Sequence, residues 1–382
     1  MLVSVFSLIG FAKGRRLIVL KYFSVVGLHG AKDIKIPFDD QLTVITGENG
    51  CGKTSALKLM WYLLSPNVER AYREVDFDEA FLETDRFSIR FSKHERVVEF
   101  ESEDPGRTIV VRDECDDESK DVPVYLAPDE SWYSRTKFEF DLETINRLIK
   151  KQHSSSLFFP TYRRIEESDS ASSDDMRQLS RAIRDYSQKV SVDKHRLIAS
   201  VSTKDIKELI VSKYAALSER ALSLRGELLN GIVSTIADTK NGDSDDAKAA
   251  LASIRRSILE AEEKQADLFS SFDKMKEMIA NFIDDKAVRI NNTICFGDTD
   301  RMVGADNLSA GEKQVLSFLA YNAFYQSAPL IIDEPELSLH IDWQRKLLPM
   351  LLSQETSNQI IVATHSPFIY SKYPDKEIRL SH

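Results

Sequence analysis

The fold is decided by the stretch Gly47-Glu48-Asn49-Gly50-Cys51-Gly52-Lys53-Thr54, which fits the phosphate-binding loop pattern G-x-x-x-x-G-K-[ST]. The stretch follows the apolar run 42–46 and precedes a helical pattern from Ser55 to Leu64, which is the context this motif requires. Its glycines let backbone N–H groups turn inward around phosphates, and the helix N-terminus adds partial positive charge. We therefore expect Lys53 to reach the β- and γ-phosphates of a nucleotide and the Thr54 hydroxyl to hold Mg²⁺.

A second apolar run ends in two carboxylates, at Leu330-Ile331-Ile332-Asp333-Glu334. Short continuous apolar runs such as this one and 360–363 are typical of parallel strands buried on both faces. We expect Asp333 to bind Mg²⁺ through its water shell and Glu334 to orient and polarise an attacking water. Phosphoryl transfer mainly needs positioning and charge neutralisation, and these two roles supply both.

Three further motifs resemble those of the ABC-type ATPases. Leu308-Ser309-Ala310-Gly311-Glu312-Lys313-Gln314 resembles the signature motif, 336–340 the dimer-contact loop, and Thr364-His365-Ser366-Pro367 the switch histidine. All five elements follow the family's order from 47 to 367. Asn49 and Glu312 make the motifs similar to the soluble SMC, RecF and OLD branch, and disfavour a transporter's nucleotide-binding subunit.

The resemblance implies an ATPase that hydrolyses ATP to ADP and phosphate with Mg²⁺, as a homodimer with two ATP molecules sandwiched between heads. Lys53, Glu334 and His365 would be catalytic, and Thr54 and Asp333 would hold the metal. The signature would contact the nucleotide of the second subunit. The nucleotide-binding set is then Gly47, Asn49, Gly50, Cys51, Gly52, Lys53, Thr54 and Ser55, with Ser309, Gly311 and Glu312 from the partner.

One departure from the family concerns its glutamine loop, which couples the γ-phosphate to the inserted domain. No glutamine occurs between Gln41 and Gln152. Gln152 or Gln178 are candidates, and another oxygen ligand in their place is the alternative.

The segment 158–166 resembles the ATPases of bacterial anti-phage systems, such as the Septu ATPase PtuA and its retron-linked relatives. This resemblance implies an ATPase that gates a separate nuclease or toxin. OLD nucleases continue into a Toprim domain, whereas this sequence ends shortly after His365. The alternative is a RecF- or SMC-like repair ATPase that clamps DNA directly.

The motifs divide the sequence into a split α/β head, an ABC-type ATPase fold with a mixed sheet, and an inserted helical region. We expect the N-terminal half of the head over 1–165, the insertion over 166–290 and the C-terminal half over 291–382. Residues 86–126 have the pattern of short antiparallel strands, with an acidic loop at 113–121.

Within the insertion, apolar residues recur at three- and four-residue steps over 206–228 and 251–282, which predicts an antiparallel coiled-coil hairpin. Two core helices of a compact helical domain are the alternative.

The charge balance bears on the partners. With 51 basic and 61 acidic residues the chain carries a formal net charge of −10. Any contact with nucleic acid must therefore come from a local basic patch. The segment 176–225 holds 11 basic and 5 acidic residues, or +6, and is a candidate surface for DNA or an RNA–DNA hybrid. Docking of an acidic protein and an ordinary solvated helix face are its alternatives.

Cysteine spacing and apolar run length bear on localisation. Three scattered cysteines form neither a disulfide framework nor a zinc pattern, which favours the reducing cytoplasm. Residues 1–12 form an apolar leader that is too short to cross a bilayer and lacks a signal peptide's charge order. We expect no membrane attachment.

Overall fold

The computed structural model describes residues 18–102, 107–112, 122–123, 134–135, 137–161, 164–165, 174–201, 203–238, 244–282, 288–290, 294–296, 303–304 and 308–380. The predictions for the N-terminal leader and for the acidic loop at 113–121 lie outside these residues. The strands are β1 (Leu20–Leu28), β2 (Lys32–Pro37), β3 (Leu42–Gly47), β4 (Glu79–Thr84), β5 (Phe87–Ser92), β6 (Val97–Ser102), β7 (Arg107–Arg112), β8 (Val122–Pro123), β9 (Ser134–Arg135), β10 (Ser156–Phe159), β11 (Arg164–Ile165), β12 (His195–Leu197), β13 (Ser200–Val201), β14 (Val288–Ile290), β15 (Ile294–Phe296), β16 (Val303–Gly304), β17 (Pro329–Asp333), β18 (Gln359–Ala363) and β19 (Glu377–Leu380). The helices are α1 (Lys53–Leu64), α2 (Val68–Glu74), α3 (Lys137–Lys151), α4 (Asp174–Val190), α5 (Thr203–Asp238), α6 (Ser244–Phe282), α7 (Ala310–Phe324), α8 (Ile341–Ser353) and α9 (Pro367–Tyr370).

The core of the head is a six-stranded sheet in the order β12-β10-β17-β18-β3-β19. Its described pairings are all parallel. Every residue of β10, β17 and β18 is buried, which accounts for their continuous apolar sequences. Because parallel strands end at the same edge, the residues that follow β3, β10, β17 and β18 meet there.

A second six-stranded sheet, in the order β2-β1-β4-β5-β6-β7, is antiparallel throughout. The two pairing modes predicted from the sequence are therefore divided between two sheets, as expected for the α/β head. Helix α1 packs against strands of both, and its Trp61 ring lies 5.7 Å from that of Phe158 in β10. Burial of nearly the whole helix fixes the phosphate-binding loop that precedes it.

Strand β1 runs from Leu20 to Leu28, and its burial alternates along the strand, with Phe23 and Val25 buried and Lys21 and Val26 exposed. Both of its edges are paired, with β2 on one side and β4 on the other.

Helices α5 and α6 form the predicted antiparallel hairpin. With 36 and 39 residues they extend roughly 55 Å at about 1.5 Å per residue. The hairpin packs on the head through its base, where Phe272 lies 4.6 Å from Phe324 of α7 between ring centroids, and 5.6 Å from Tyr214. Farther out the arms are solvated, with Leu222 70% exposed, which excludes the alternative of two core helices in a compact domain.

The predicted apolar seam of α6 is confirmed only near the head. Phe272, Met275 and Ile279 are buried, whereas Leu251 and Ile258 are exposed. Three-four spacing identifies one face of a helix, but burial also needs a neighbour to cover that face.

Part of the region assigned to the insertion packs with the head. Strand β12 pairs with β10 in the core sheet, and Tyr186 of α4 donates a hydrogen bond to Glu74 over 3.3 Å. We therefore propose that the insertion proper is the α5–α6 hairpin. Among the described helices, none combines the length and apolar character needed to cross a membrane.

Candidate functional site

The phosphate-binding loop lies between the end of β3 and the start of α1, as its motif predicts. Lys53 is buried and donates hydrogen bonds to the carbonyl oxygens of Gly47 and Glu48 over 3.0 and 3.1 Å. A Cβ at Gly47 would lie 2.7 Å from the Leu380 carbonyl oxygen, so only glycine fits. Gly52 caps α1 with φ of 99°, a conformation that favours glycine. The loop therefore encloses the amine, and Asn49 and Gly50 are exposed at its rim.

The turn between β1 and β2 adds two side chains at this loop. His29 Nε2 lies 2.7 Å from the Ser55 hydroxyl, and Lys32 donates to the Gly50 carbonyl oxygen. Neither residue belongs to a motif that predicts this contact. Their only sequence signal is the turn marked by Gly27 and Gly30, which does not indicate what the turn touches.

Thr54 and Asp333, the predicted metal ligands, are joined through a residue that the sequence analysis did not assign. Thr161, two residues beyond β10, donates a hydrogen bond to Asp333 Oδ2. Its hydroxyl oxygen also lies 3.3 Å from the Thr54 hydroxyl oxygen. Asp333 is fully buried at the end of β17. The structure thus brings two hydroxyls and one carboxylate together at the sheet edge.

The two candidate glutamines lie elsewhere. The Gln152 side-chain amide donates to the Ser102 hydroxyl over 3.2 Å, and the backbone carbonyl oxygen of Gln152 accepts a hydrogen bond from Arg86. These contacts hold it beside the end of β6. Gln178 is exposed on α4.

Glu334 and His365, which the sequence predicts to be the base and the switch histidine, face each other. His365 Nε2 lies 3.6 Å from Glu334 Oε1, and both side chains are partly exposed. Glu334 has a positive φ of 47°, and its N–H donates to the Ala363 carbonyl oxygen over 2.8 Å. Burial raises the pKa of the Glu334 carboxyl above its usual value, and the charges of Asp333 and Glu336 raise it further.

The loop that carries His365 is held by Glu336. The Glu336 carboxylate accepts hydrogen bonds from the Thr364 hydroxyl, the His365 N–H and the Ser366 N–H, over 2.8, 2.7 and 3.2 Å. Charge-assisted bonds of this kind fix a backbone strongly. Its motif places Glu336 in the dimer-contact loop but does not predict this contact, which links segments about 30 residues apart.

The signature motif forms the start of α7. The Ser309 side chain caps the helix by accepting a hydrogen bond from the Glu312 N–H, and the Ser309 N–H donates to the Glu312 carboxylate over 2.7 Å, which completes a capping box. Glu312 therefore has a structural contact of its own. A Cβ at Gly311 would lie 2.7 Å from the Ser338 carbonyl oxygen, so glycine lets the signature lie against the dimer-contact loop. Ser309 and Ala310 are exposed at the helix N-terminus.

The basic segment 176–225 is distributed over α4, β12 and α5. Some of its cations have structural partners: Arg184 Nε lies 3.8 Å from Asp205, and Lys213 lies over the Tyr325 ring. Burial and then the nearby Arg196 lower the pKa of Lys213. Others, including Arg181, Lys189 and Lys194, are exposed. The charge available to a partner is thus smaller than the sequence count.

Comparisons with known proteins give one family and a set of distant structures. The family model described as AAA ATPase domain matches residues 20–370. Solved structures that align include the Smc head domain with an extended coiled coil bound to the C-terminal domain of ScpA, from Pyrococcus furiosus. That alignment has 14% identity and a TM-score of 0.41, and covers 93% of this chain and 91% of the other. The SMC head domain from Thermotoga maritima aligns at 12% identity with a TM-score of 0.37, covering 92% and 91%. A comparison with curated proteins gives no match.

Proposed function

Because the chain belongs to the AAA ATPase domain family, we propose that it hydrolyses ATP to ADP and phosphate, with Mg²⁺ as cofactor. The observation that carries the proposal is the meeting of Lys53, Thr54, Asp333, Glu334 and His365 at one edge of the core sheet. The phosphate loop, the carboxylates and the histidine follow three strands of the parallel sheet, β3, β17 and β18, whose ends converge there. Such convergence is where open parallel sheets bind their ligands.

The residues fit Mg²⁺, because Thr54 and Asp333 offer the hydroxyl and carboxylate oxygens that this hard cation prefers, already linked by hydrogen bonds through Thr161. When bound, the metal would neutralise the charge that develops on the phosphates. Lys53 adds a fixed positive charge on the phosphates, after exchanging its bonds to Gly47 and Glu48 for phosphate oxygens. The N–H groups of the loop and of the α1 N-terminus complete the cradle.

Glu334 is the proposed base for the attacking water. Its raised pKa makes it a better proton acceptor than an ordinary glutamate once it is ionised. The His365 ring, 3.6 Å from the carboxylate, orients it and is the proposed contact to the γ-phosphate. Glu336 fixes the backbone of His365, so the base and the histidine keep a constant separation.

We further propose a homodimer with two ATP molecules between the heads. Support comes from the exposed start of α7, where Ser309 and Ala310 are accessible and would contact a second subunit's nucleotide. The adjoining dimer-contact loop exposes Leu337, and Ile341 is exposed just beyond it at the start of α8; a partner head would cover both apolar side chains.

The test compares Glu334→Gln, Lys53→Ala and the control Glu355→Gln, which neutralises an exposed carboxylate outside the site. We expect Glu334→Gln to bind ATP, to lose hydrolysis and to elute as a closed dimer in ATP. Lys53→Ala should not bind ATP, and Glu355→Gln should match the natural chain in phosphate release. Normal hydrolysis by Glu334→Gln would show that another group is the base.

For the biological role we propose gating of a separate nuclease or toxin in anti-phage defence, in the cytoplasm. The support is the segment 158–166 and the α5–α6 hairpin, which extends from the head as an arm for a partner. A DNA-repair clamp is the second candidate, favoured by the exposed cations of α4 and the β12 turn.

Tagged purification with the native gene neighbourhood separates the two roles. A stoichiometric nuclease or toxin, or a bound RNA–DNA hybrid, is expected for defence. A dimer that purifies without another protein and binds duplex DNA only in the presence of ATP would instead support the DNA-repair role.

A further inference from the structure

We propose that Thr161 is a positioning residue of the metal site, where its hydroxyl holds Asp333 and Thr54 in place for Mg²⁺. The inference rests on the proposed ATPase function and adds to it a residue whose role no motif assigns. Its basis is the pair of contacts that Thr161 makes, one to each predicted metal ligand.

The hydroxyl is placed by the sheet. Strand β10 pairs in parallel with β17, with Phe158 opposite Ile331 and Phe159 opposite Ile332. Two residues on, Thr161 therefore lies beside the end of β17, where Asp333 projects. Buried Phe159, whose ring lies 5.0 Å from that of Phe318 in α7, anchors the strand end that carries it. Thr161 thus has a fixed backbone next to the carboxylate.

The chemistry of the contact favours a role in holding the ligand. A buried carboxylate is costly unless hydrogen bonds satisfy it, and a hydroxyl supplies one without adding charge. Residues that hydrogen-bond to a metal ligand fix its orientation, and their loss usually weakens metal binding 10- to 100-fold. The two candidates for the family's glutamine loop lie elsewhere, since Gln152 bonds to Ser102 at the end of β6 and Gln178 is exposed on α4. We therefore assign the oxygen ligand that replaces this glutamine to the shorter side chain of Thr161.

The experiment measures Mn²⁺ binding by electron paramagnetic resonance in the presence of a non-hydrolysable ATP analogue. Thr161→Val removes the hydroxyl at nearly constant shape, and Thr161→Ser retains it. The matched control is Thr356→Val, which removes a buried hydroxyl bonded to Asn322 away from the site. Binding of a fluorescent ATP analogue in EDTA serves as the metal-independent readout.

We expect Thr161→Val to weaken Mn²⁺ binding about 10-fold or more, Thr161→Ser to stay within about threefold, and binding in EDTA to stay unchanged. Equal Mn²⁺ affinity in Thr161→Val and Thr356→Val would overturn the inference. If Thr161→Val does not fold, Thr161→Ala takes its place with the same expected loss and the same refuting result. Failure of the natural chain to bind the analogue would instead refute the ATPase proposal.

Discussion

Replacement of Glu336 tests whether this carboxylate acts on hydrolysis through the loop of His365. In Glu336→Ala the Thr364 hydroxyl and the His365 N–H lose their acceptor, whereas the Ser366 N–H keeps its hydrogen bond to the Thr364 hydroxyl oxygen over 3.0 Å. Each hydrogen bond to a charged group contributes about 1.5–3 kcal/mol. Because the His365 side chain is partly exposed, water replaces part of this, and we expect a net loss of about 2–3 kcal/mol in holding the loop.

The kinetic consequence follows from the position of the histidine. A misplacement of about 1 Å in a catalytic constellation costs on the order of 100-fold, so kcat should fall about 100-fold in Glu336→Ala. In Glu336→Gln the remaining amide oxygen still accepts from the N–H groups of His365 and Ser366, so kcat should stay within about fivefold. KM for ATP should change little, because these bonds hold the loop of His365 and not the phosphate loop.

Steady-state phosphate release, with thermal unfolding as a check on folding, measures both variants. The double variant Glu336→Ala/His365→Ala supplies the decisive comparison, since residues that act through one another are not additive. Its kcat should equal that of His365→Ala alone. A full further loss in the double variant, or equal rates for Glu336→Ala and Glu336→Gln, would refute this reasoning.

Further expectations concern pH and packing. Since the charge of Glu336 raises the pKa of Glu334, Glu336→Gln should move the acid limb of the kcat profile to lower pH; an unmoved limb would assign it to another group. Burial lowers the pKa of His195 to about 3, so between this value and about 6.5 only the unfolded chain takes up its proton. Stability should therefore fall as pH drops below 6.5, by up to about 1.4 kcal/mol per pH unit, and His195→Asn should remove this slope in urea titrations. Gly311→Ala should lose about 1–3 kcal/mol of unfolding free energy through the clash with the Ser338 carbonyl oxygen, and an unchanged urea midpoint would contradict that packing.

The motifs were predictable because each is local. The loop 47–54 needs only its glycines and the following helix, and the runs around β17 and β18 are apolar enough to indicate burial on both faces. From these features the sequence indicates the α/β head and the residues of its proposed nucleotide site.

Thr161 and Glu336 could not be assigned in the same way. Thr161 is 107 residues from Thr54 and 172 from Asp333, so its contacts depend on strand order, which spacing along the chain does not reveal. The hydrogen bonds of Glu336 depend on the adjacency of β17 and β18. In the hairpin the apolar repeat is visible in the sequence, but the repeat does not reveal how far along α6 other residues cover it. Leu251 belongs to the repeat and is exposed.

The order of strands in the core sheet also bears on synthesis. Strand β3, which leads into the phosphate loop, has β18 and β19 as its neighbours, and these come from residues 359–363 and 377–380. A ribosome that has translated the loop must therefore add more than 300 residues before β3 gains a sheet partner. Until then the apolar strand is unpaired and prone to aggregation, as expected for non-local parallel pairing. Nascent chains released before residue 359 should consequently lack the nucleotide site, although they contain the whole phosphate-binding loop.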